Sequence, residues 1–451
     1  MWMPERIRQG GPLYLAIVEV LAQDIEAGRL TAGDRLPPQR ALADHLGVTL
    51  TTVTRAYAEA ARRGLLEGEV GRGTFVRSAV NGPDAATLPI DLSLNALMPY
   101  VHAAELAGRL SPTGPLSARI QSLDYHPPLG LDEHRAAGRA WLAWRGWDTG
   151  DHAVAVTAGA QHGLLVVLMA QMPPGGELLV EEVTYSGLKQ LAAHLRLTLH
   201  GVGMDAHGLR PADLDTACRQ TSARVLYTMP ALQNPTGLSM PLGRQEDIAA
   251  VARRHNLTIV EDDTYGFLVP DIPLLAALVP ERTVVVTSLS KSVAGGLRIG
   301  YVAAPARMRE TLASSIWNTV VMASPVTAAL ATSLVGDGTA ARVVAWKREE
   351  MRARQALARR VLPRLSADTH LASPHVWLPL ERPWRSETFA AQARTRGVLV
   401  TPSSAFAARE GASPRAVRVA LGPPRSRERL ETGLRRLVEL QQDVPRTAAV
   451  L

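Results

Sequence analysis

The sequence is short of sulfur and of lysine. A single cysteine, Cys218, in 451 residues excludes an intramolecular disulfide and a thiolate-based metal cluster, and no metal is expected. The N-terminus lacks the apolar core of a secretory signal, so the expected compartment is the cytoplasm. No short repeat or low-complexity tract is present, which confines expected disorder to the ends and a linker. Long hydrophobic runs are scarce as well. The charge-free stretch from Thr311 to Gly336 contains Ser, Thr and Asn and an internal Ser324-Pro325, an N-cap followed by a helix-starting proline. Two buried helical pieces are predicted there rather than a membrane span. Only three of the 49 basic residues are lysine (Lys189, Lys291 and Lys347), so each lysine position is informative.

What is present describes a globular chain: 46% hydrophobic and 20% charged residues, over a length that calls for two or three structural domains. The net charge of +7 and isoelectric point near 9.9 suit nucleic-acid binding, and equally suit an arginine-rich proteome. Residues 1–80 hold ten arginines against nine acids, so any affinity for DNA there must come from local arrangement.

From Leu13 to Ala27, apolar residues recur at helical spacing (Leu13, Ile17, Val20, Leu21, Ile25) and Gly28 supplies a C-cap. A second short helix, Ala41 to Leu46, is closed by Gly47, and Thr49 caps a third running to about Arg63. Two short helices around a glycine turn form a helix-turn-helix, whose second helix presents its first side chains to base edges. Gly64-Leu65-Leu66-Glu67 and Gly73-Thr74-Phe75-Val76 follow as a two-stranded wing. Ser78 to Asp91 reads as a linker. Beyond it, strand-like runs at Ala153–Thr157, Glu177–Val180, Arg224–Met229, Leu257–Val260 and Thr283–Thr287 alternate with helical stretches, the pattern of an α/β layer fold with a mostly parallel sheet.

In such sheets the chemistry sits at the carboxyl ends of strands. Four loops qualify. Thr157-Ala158-Gly159-Ala160-Gln161 leads into a helix whose first N–H groups can face an anion. Gln233-Asn234-Pro235-Thr236-Gly237 projects an amide, although that string is also an ordinary turn. Glu261-Asp262-Asp263-Thr264-Tyr265 places acids and a tyrosine just past an apolar strand, where acids are often simply solvated. Ser288-Leu289-Ser290-Lys291, with Arg298 seven residues on, is the decisive one. An amine between two hydroxyls and near a guanidinium suits a phosphate ligand bearing an aldehyde.

Two resemblances rest on these strings. Leu36-Pro37-Pro38-Gln39-Arg40-Ala41-Leu42-Ala43, the Gly47-Val48 turn and Gly71-Arg72-Gly73-Thr74-Phe75-Val76 resemble the GntR family of winged-helix regulators over about 65 residues. The resemblance implies contacts to double-stranded operator DNA from Arg40, Thr49, Thr51, Thr52, Arg55 and Arg72. Leu50 and Thr54 depart from it, standing where that family often has arginine. A winged helix serving protein contacts alone is the competing reading. From about Ile90 onward the chain is similar to fold-type I aminotransferases, and the two parts together resemble the MocR subfamily of regulators.

That second resemblance implies pyridoxal 5′-phosphate (PLP) as cofactor, bound through a Schiff base at Lys291. It implies that Asp262 pairs with the pyridine nitrogen and that Asn234 and Tyr265 hold the ring's phenolic oxygen. Tyr185 would stack on the ring. Gly159, Ala160, Gln161, Ser288, Ser290 and Arg298 would hold the phosphate, with Tyr125 reaching the phosphate of the other subunit in a homodimer. Arg418 would clamp an α-carboxylate. His134, His162 and Asn95 depart from the family pattern, and Asn95 bears on the substrate pocket.

The expected architecture is an N-terminal winged helix-turn-helix (1–77), a linker (78–91) and an α/β fold-type I PLP-dependent transferase domain (92–451). The last has a mostly parallel large part at about 120–330 and a smaller C-terminal α+β part at about 335–445 that takes in the N-terminal segment. The expected function is a regulator sensing PLP, an amino acid or an amine, with no membrane partner. A working aminotransferase and a purely structural cofactor are the alternatives.

Overall fold

The computed structural model describes residues 2–4, 12–26, 29–30, 34–62, 65–69, 73–76, 88–98, 124–362, 365, 369–409, 411 and 413–443. The chain divides into two compact units, 1–88 and 89–451.

In the first unit, α1 (Leu13–Glu26), α2 (Gln39–Leu46) and α3 (Leu50–Arg62) are followed by the antiparallel hairpin of β1 (Leu66–Glu69) and β2 (Gly73–Val76). The 3.6-residue spacing turns Ile17, Val18 and Leu21 of α1 toward Val53, Ala56, Tyr57 and Ala60 of α3, with Leu36, Leu42 and Val76 completing one core. Gly47 ends α2 at φ 65°, a left-handed conformation open to glycine at little cost. The Tyr57 hydroxyl, buried in that core, donates to the Pro37 carbonyl at 2.8 Å, which ties α3 to the chain entering α2. Gly28, the expected cap of α1, and Gly71 and Arg72, expected in the wing, lie outside the described residues.

The second unit is built on a seven-stranded sheet. In chain order its strands are β4 (Ala153–Thr157), β5 (Glu177–Glu181), β6 (Thr198–Val202), β9 (Val225–Thr228), β10 (Thr258–Asp262), β11 (Thr283–Ser288) and β12 (Gly300–Ala304), and in space they run β4-β12-β11-β10-β9-β5-β6. A short hairpin, β7 (Met204–Asp205) and β8 (Gly208–Leu209), lies between β6 and β9 in the chain. All seven sheet strands are parallel except β12, which is antiparallel to both of its neighbours. The run Thr283-Val-Val-Val-Thr-Ser is buried on both faces, as the central strand of a helix-covered sheet requires. β12 can start between the ends of β11 and β4 because Gly300 carries no side chain. A Cβ there would come within 2.8 Å of the Gly159 carbonyl carbon and the Thr287 oxygen.

The smaller lobe is a three-stranded antiparallel sheet of β13 (His375–Pro379), β16 (Ala416–Ala420) and β15 (Thr401–Pro402), in the order β13-β16-β15. The N-terminal segment belongs to this lobe. β3 (Ile90–Asp91) pairs in parallel with β14 (Val398–Leu399), and Ile90, Leu92 and Met98 join Val376, Val419 and Leu434 in its core. One 23-residue helix, Thr339–Val361, bridges the lobes: Ala340 and Val344 belong to the large core, Met351 and Leu357 to the small one.

The charge-free stretch folds as two helices, Arg309–Val320 and Pro325–Gly336. Ser324 stands at the N-cap as expected, but its side chain makes no cap hydrogen bond. No described helix is long and apolar enough to cross a membrane.

Candidate functional site: a cationic cavity at the carboxyl ends of the strands

A cavity of about 500 Å³ opens where β4, β9, β10 and β11 end and the small lobe meets the sheet. Ala160, Gln161, Tyr185, Asn234, Asp262, Tyr265, Ser288, Ser290, Lys291, Arg298 and Arg418 all line it, joined by Ser93 to Leu97 from the N-terminal segment.

One end is made for an anion. β4 gives way to Gly159 at φ 90°, which starts the helix Ala160–Gln171 with its N-terminus toward the cavity. The Arg298 guanidinium packs against this glycine, where a Cβ would approach its Nη2 to 2.6 Å. It also donates to Ser290 Oγ at 3.1 Å and to the Ala158 carbonyl at 3.2 Å. Ser288 Oγ is buried and has no partner. A hydroxyl left unsatisfied in the interior is costly, and a bound oxyanion would satisfy it.

Lys291 sits on the one-turn helix Leu289–Ser292 immediately after β11, and its Nζ donates to the Asn95 carbonyl. Burial, then the charges of Arg418 and Arg298, pull its pKa down to about 8, so a substantial share of the amine is neutral near physiological pH.

Asp262 forms the floor. Both acids of the Glu261-Asp262 pair were expected just past the strand; they are its last two residues, because β10 keeps pairing with β11 through Asp262↔Val286. They are buried rather than solvated. Glu261 turns away from the cavity and accepts from Leu275 N and Ala276 N, with burial and the Asp263 charge pushing it up to about 8. Asp262 accepts from the Tyr227 hydroxyl at 2.9 Å, from Thr264 N at 3.0 Å and from Thr264 Oγ1 at 2.5 Å. Burial is the largest influence and leaves its pKa raised, although these donors work against it. Asp263 turns the other way into a two-pronged pair with Arg145, both bonds 2.9 Å.

The third wall is Arg418 on β16. It is buried and donates to Asn234 Oδ1 at 2.9 Å, to the Ser93 carbonyl at 2.6 Å and to Thr401 Oγ1 at 3.3 Å, and its Nε has no partner. The ring of Phe406 lies 4.8 Å below the guanidinium. Three cations and one carboxylate thus line the cavity, which favours a ligand carrying more than one negative charge. Tyr185 Oη donates to Gln161 Oε1 at 3.0 Å. Tyr125 does not line the cavity and is 82% exposed.

Several contributors carry no motif. Tyr227 lies inside an apolar strand, and a tyrosine buried there needs an acceptor, which was the available signal. His375 is buried against the Gln233 carbonyl (3.1 Å) and the Asn95 amide (3.1 Å), and burial pushes it down to about 3. It is therefore neutral, with Nε2–H donating to the carbonyl and Nδ1 accepting from Asn95. Ser93 and Thr401 meet Arg418 only through the fold.

In the first unit Arg40, Thr49, Thr51 and Arg55 are exposed and Thr52 is partly so. Thr49 caps α3, accepting from Thr52 N at 3.2 Å with the two hydroxyls 2.8 Å apart. Arg55 lies over the Tyr14 ring at 4.7 Å, and Thr54 donates to Gln39 Oε1 at 2.7 Å. Leu50, 45% exposed at the start of α3, offers an apolar tip beside these polar ones.

Residues 117–437 match the aminotransferase class I and II family, and residues 13–76 match the bacterial regulatory proteins of the gntR family. The chain belongs to the aminotransferase class I and II family, fused to a GntR-type DNA-binding domain in the arrangement of MocR-type regulators. It is similar along nearly its whole length to YdeF of Bacillus subtilis (strain 168), an HTH-type transcriptional regulator. The two are 28% identical over 460 residues, which cover 98% of this chain and 97% of YdeF. The HTH-type transcriptional regulator TauR of Rhodobacter capsulatus is 28% identical over 88% of this chain and 90% of its own. Among solved structures, an archaeal alanine:glyoxylate aminotransferase superposes with a TM-score of 0.71 at 21% identity, covering 87% of this chain and 94% of that one. A kynurenine aminotransferase of Pyrococcus horikoshii gives 0.71 at 21%, covering 79% and 91%. The fold is thus that of fold-type I enzymes, and PLP is the cofactor of the class. The residues present fit it: an amine of lowered basicity, a buried carboxylate with no cation on it, an unpartnered serine hydroxyl and a helix start opened by Gly159.

Proposed function

We propose that the chain is a homodimeric cytoplasmic regulator of transcription that binds double-stranded operator DNA through its winged helix and senses PLP together with an amino acid or amine in the cavity. The observation that carries this reading is a cavity that joins the Lys291 amine, the buried Asp262 carboxylate and the partnerless Ser288 hydroxyl, in the same chain as a helix-turn-helix. PLP bound there supplies an aldehyde and an electron-withdrawing ring. Lys291 would attach the aldehyde, Asp262 would hold the pyridine nitrogen in its protonated form, and Asn234 and Tyr265 would hold the ring oxygen. Tyr185 covers the ring face. Gly159, Ala160, Gln161, Ser288, Ser290 and Arg298 hold the phosphate, and the exposed Tyr125 reaches across to the partner's site. Arg418 takes a ligand carboxylate.

An amine ligand that competed with Lys291 for the aldehyde would free the Lys291 side chain, and that change would shift the equilibrium between two arrangements of the DNA-binding units. On the DNA side Thr49, Thr51, Thr52, Arg40, Arg55 and Arg72 contact phosphates and base edges, and Leu50 suits a thymine methyl. The test is binding of the purified chain to the DNA flanking its own gene, at several salt concentrations, with and without PLP. The reading requires salt-dependent binding whose affinity PLP or an amine changes by about 5- to 150-fold, the usual span of coupling between sites. No binding at low salt in either state refutes it.

A working aminotransferase is the second reading. It is favoured by the same observation that Lys291, Asp262 and Arg418 are all in place, with the amine available to move a proton at the ligand's α-carbon. Turnover of an amino acid with a 2-oxo acid at enzymatic rates, abolished in Lys291→Ala, would establish it.

A further inference from the structure

Lys347, one of the chain's three lysines, lies behind the cavity rather than in it. It is 2% exposed on the bridging helix Thr339–Val361, and its ammonium donates to the main-chain carbonyls of Lys291 at 3.0 Å and Val293 at 2.8 Å. Burial and the Lys291 charge push it down to about 7. An apolar side chain of similar length would escape that desolvation cost, so the amine's value lies in what it bonds. The last carbonyls of a one-turn helix have no partner within the helix. Around Lys291, Leu289 O is taken up by Val293 N and Ala294 N and Ser288 O by Ser292 Oγ, while Lys291 O and Val293 O are taken up by Lys347.

The same helix grips the other lobe. Two turns further along, about 10 Å at ~1.5 Å per residue, Arg354 donates to Leu421 O and Pro424 O, both at 2.8 Å, and Gln355 donates to Ser373 O at 2.6 Å. Leu421 directly follows β16, the strand that carries Arg418.

We propose that Lys347 is a positioning residue: its two hydrogen bonds aim the Lys291 amine into the cavity and, through the helix, tie the Lys291 turn to the lobe that presents Arg418. The proposal rests on the reading of Lys291 as the cofactor-binding amine.

The test uses the full chain without cofactor and two variants, Lys347→Met and Lys347→Gln. Trace acetylation with acetic anhydride is followed from neutral to alkaline pH by mass spectrometry of the Lys291 peptide, with Lys189 as internal reference. In Lys347→Met the freed turn lets the Lys291 amine reach water, and its half-labelling point rises by about one unit. Relative labelling near pH 7 then falls about tenfold, and PLP uptake at that pH slows by the same factor. Lys347→Gln keeps N–H donors and stays near the wild-type profile. A folded Lys347→Met protein with an unmoved Lys291 profile, changed only in melting temperature, overturns the proposal. Should the Met variant fail to fold, Lys347→Ala takes its place: a raised half-labelling point with the Gln variant unmoved supports positioning through hydrogen bonds, and an unmoved Ala profile or a displaced Gln profile overturns it. Failure of the wild-type chain to take up PLP would instead sink the cofactor reading while leaving the labelling comparison valid.

Discussion

Gly159→Ala separates the end of the cavity proposed to hold a phosphate from the rest. At φ 90° and ψ 170° the position suits glycine, and placing another residue there costs about 1–3 kcal/mol of backbone strain. The added methyl also lands 2.6 Å from Arg298 Nη2 and 3.0 Å from its Cζ, so the guanidinium must swing away from Ser290 and from the Ala158 carbonyl. A hydrogen bond to a charged group is worth about 1.5–3 kcal/mol, which at about 1.4 kcal/mol per decade predicts a loss of about 10- to 150-fold in affinity for PLP. Pyridoxal, which lacks the phosphate, shares the aldehyde and the ring and has no use for Arg298. Its binding is expected to change little. Titration of both ligands into wild type and Gly159→Ala, followed by visible absorbance, gives the comparison. An equal loss for the two ligands, or an unchanged PLP affinity, would refute the assignment of Gly159 and Arg298 to the phosphate.

Three further outcomes are expected. The Lys291 pKa near 8 lies below the ordinary lysine value of about 10.4, so the neutral, reactive share of the amine passes one half near pH 8 and levels off above about pH 9. The rate of PLP uptake should follow that curve in stopped-flow measurements, and a rise continuing toward pH 10 would contradict the depressed value. Arg418→Lys should leave PLP uptake intact but weaken the spectral response to amino acids about tenfold or more, since a point charge replaces a planar fork; simple amines without a carboxylate should respond as before. Arg145→Met strands the Asp263 carboxylate, the two side chains being 1% exposed in the native pair. A loss of about 3–5 kcal/mol is expected by chemical denaturation, and a loss below about 1 kcal/mol would show that the pair is dispensable.

The elements were legible where local chemistry decides them. The helix periodicity of Leu13–Ile25, the Gly47 cap and the β-branched strand Thr283–Thr287 follow from side-chain spacing and backbone sterics, and the helices and strands stand within a few residues of those expectations. Lys291 stood out because lysine is rare in this chain and sits between two serines after a strand. The position of β12 was not legible. Its antiparallel insertion between β4 and β11 depends on long-range pairing that Gly300 permits but does not announce. The burial of Glu261 and Asp262 was likewise set by the register of β10 on β11.

Taken alone, the sequence determined the α/β class and the separate winged helix and singled out Lys291 as the candidate amine, because each is written in residues adjacent in the chain. Only the tertiary structure decided how that amine is governed. Asn95 and Lys347, 196 and 56 residues from Lys291, bond its ammonium and its carbonyl, and Arg418 reaches Asn234 across 184 residues. Contacts of that range arise from the packing of two lobes around one bridging helix, and no local periodicity encodes them.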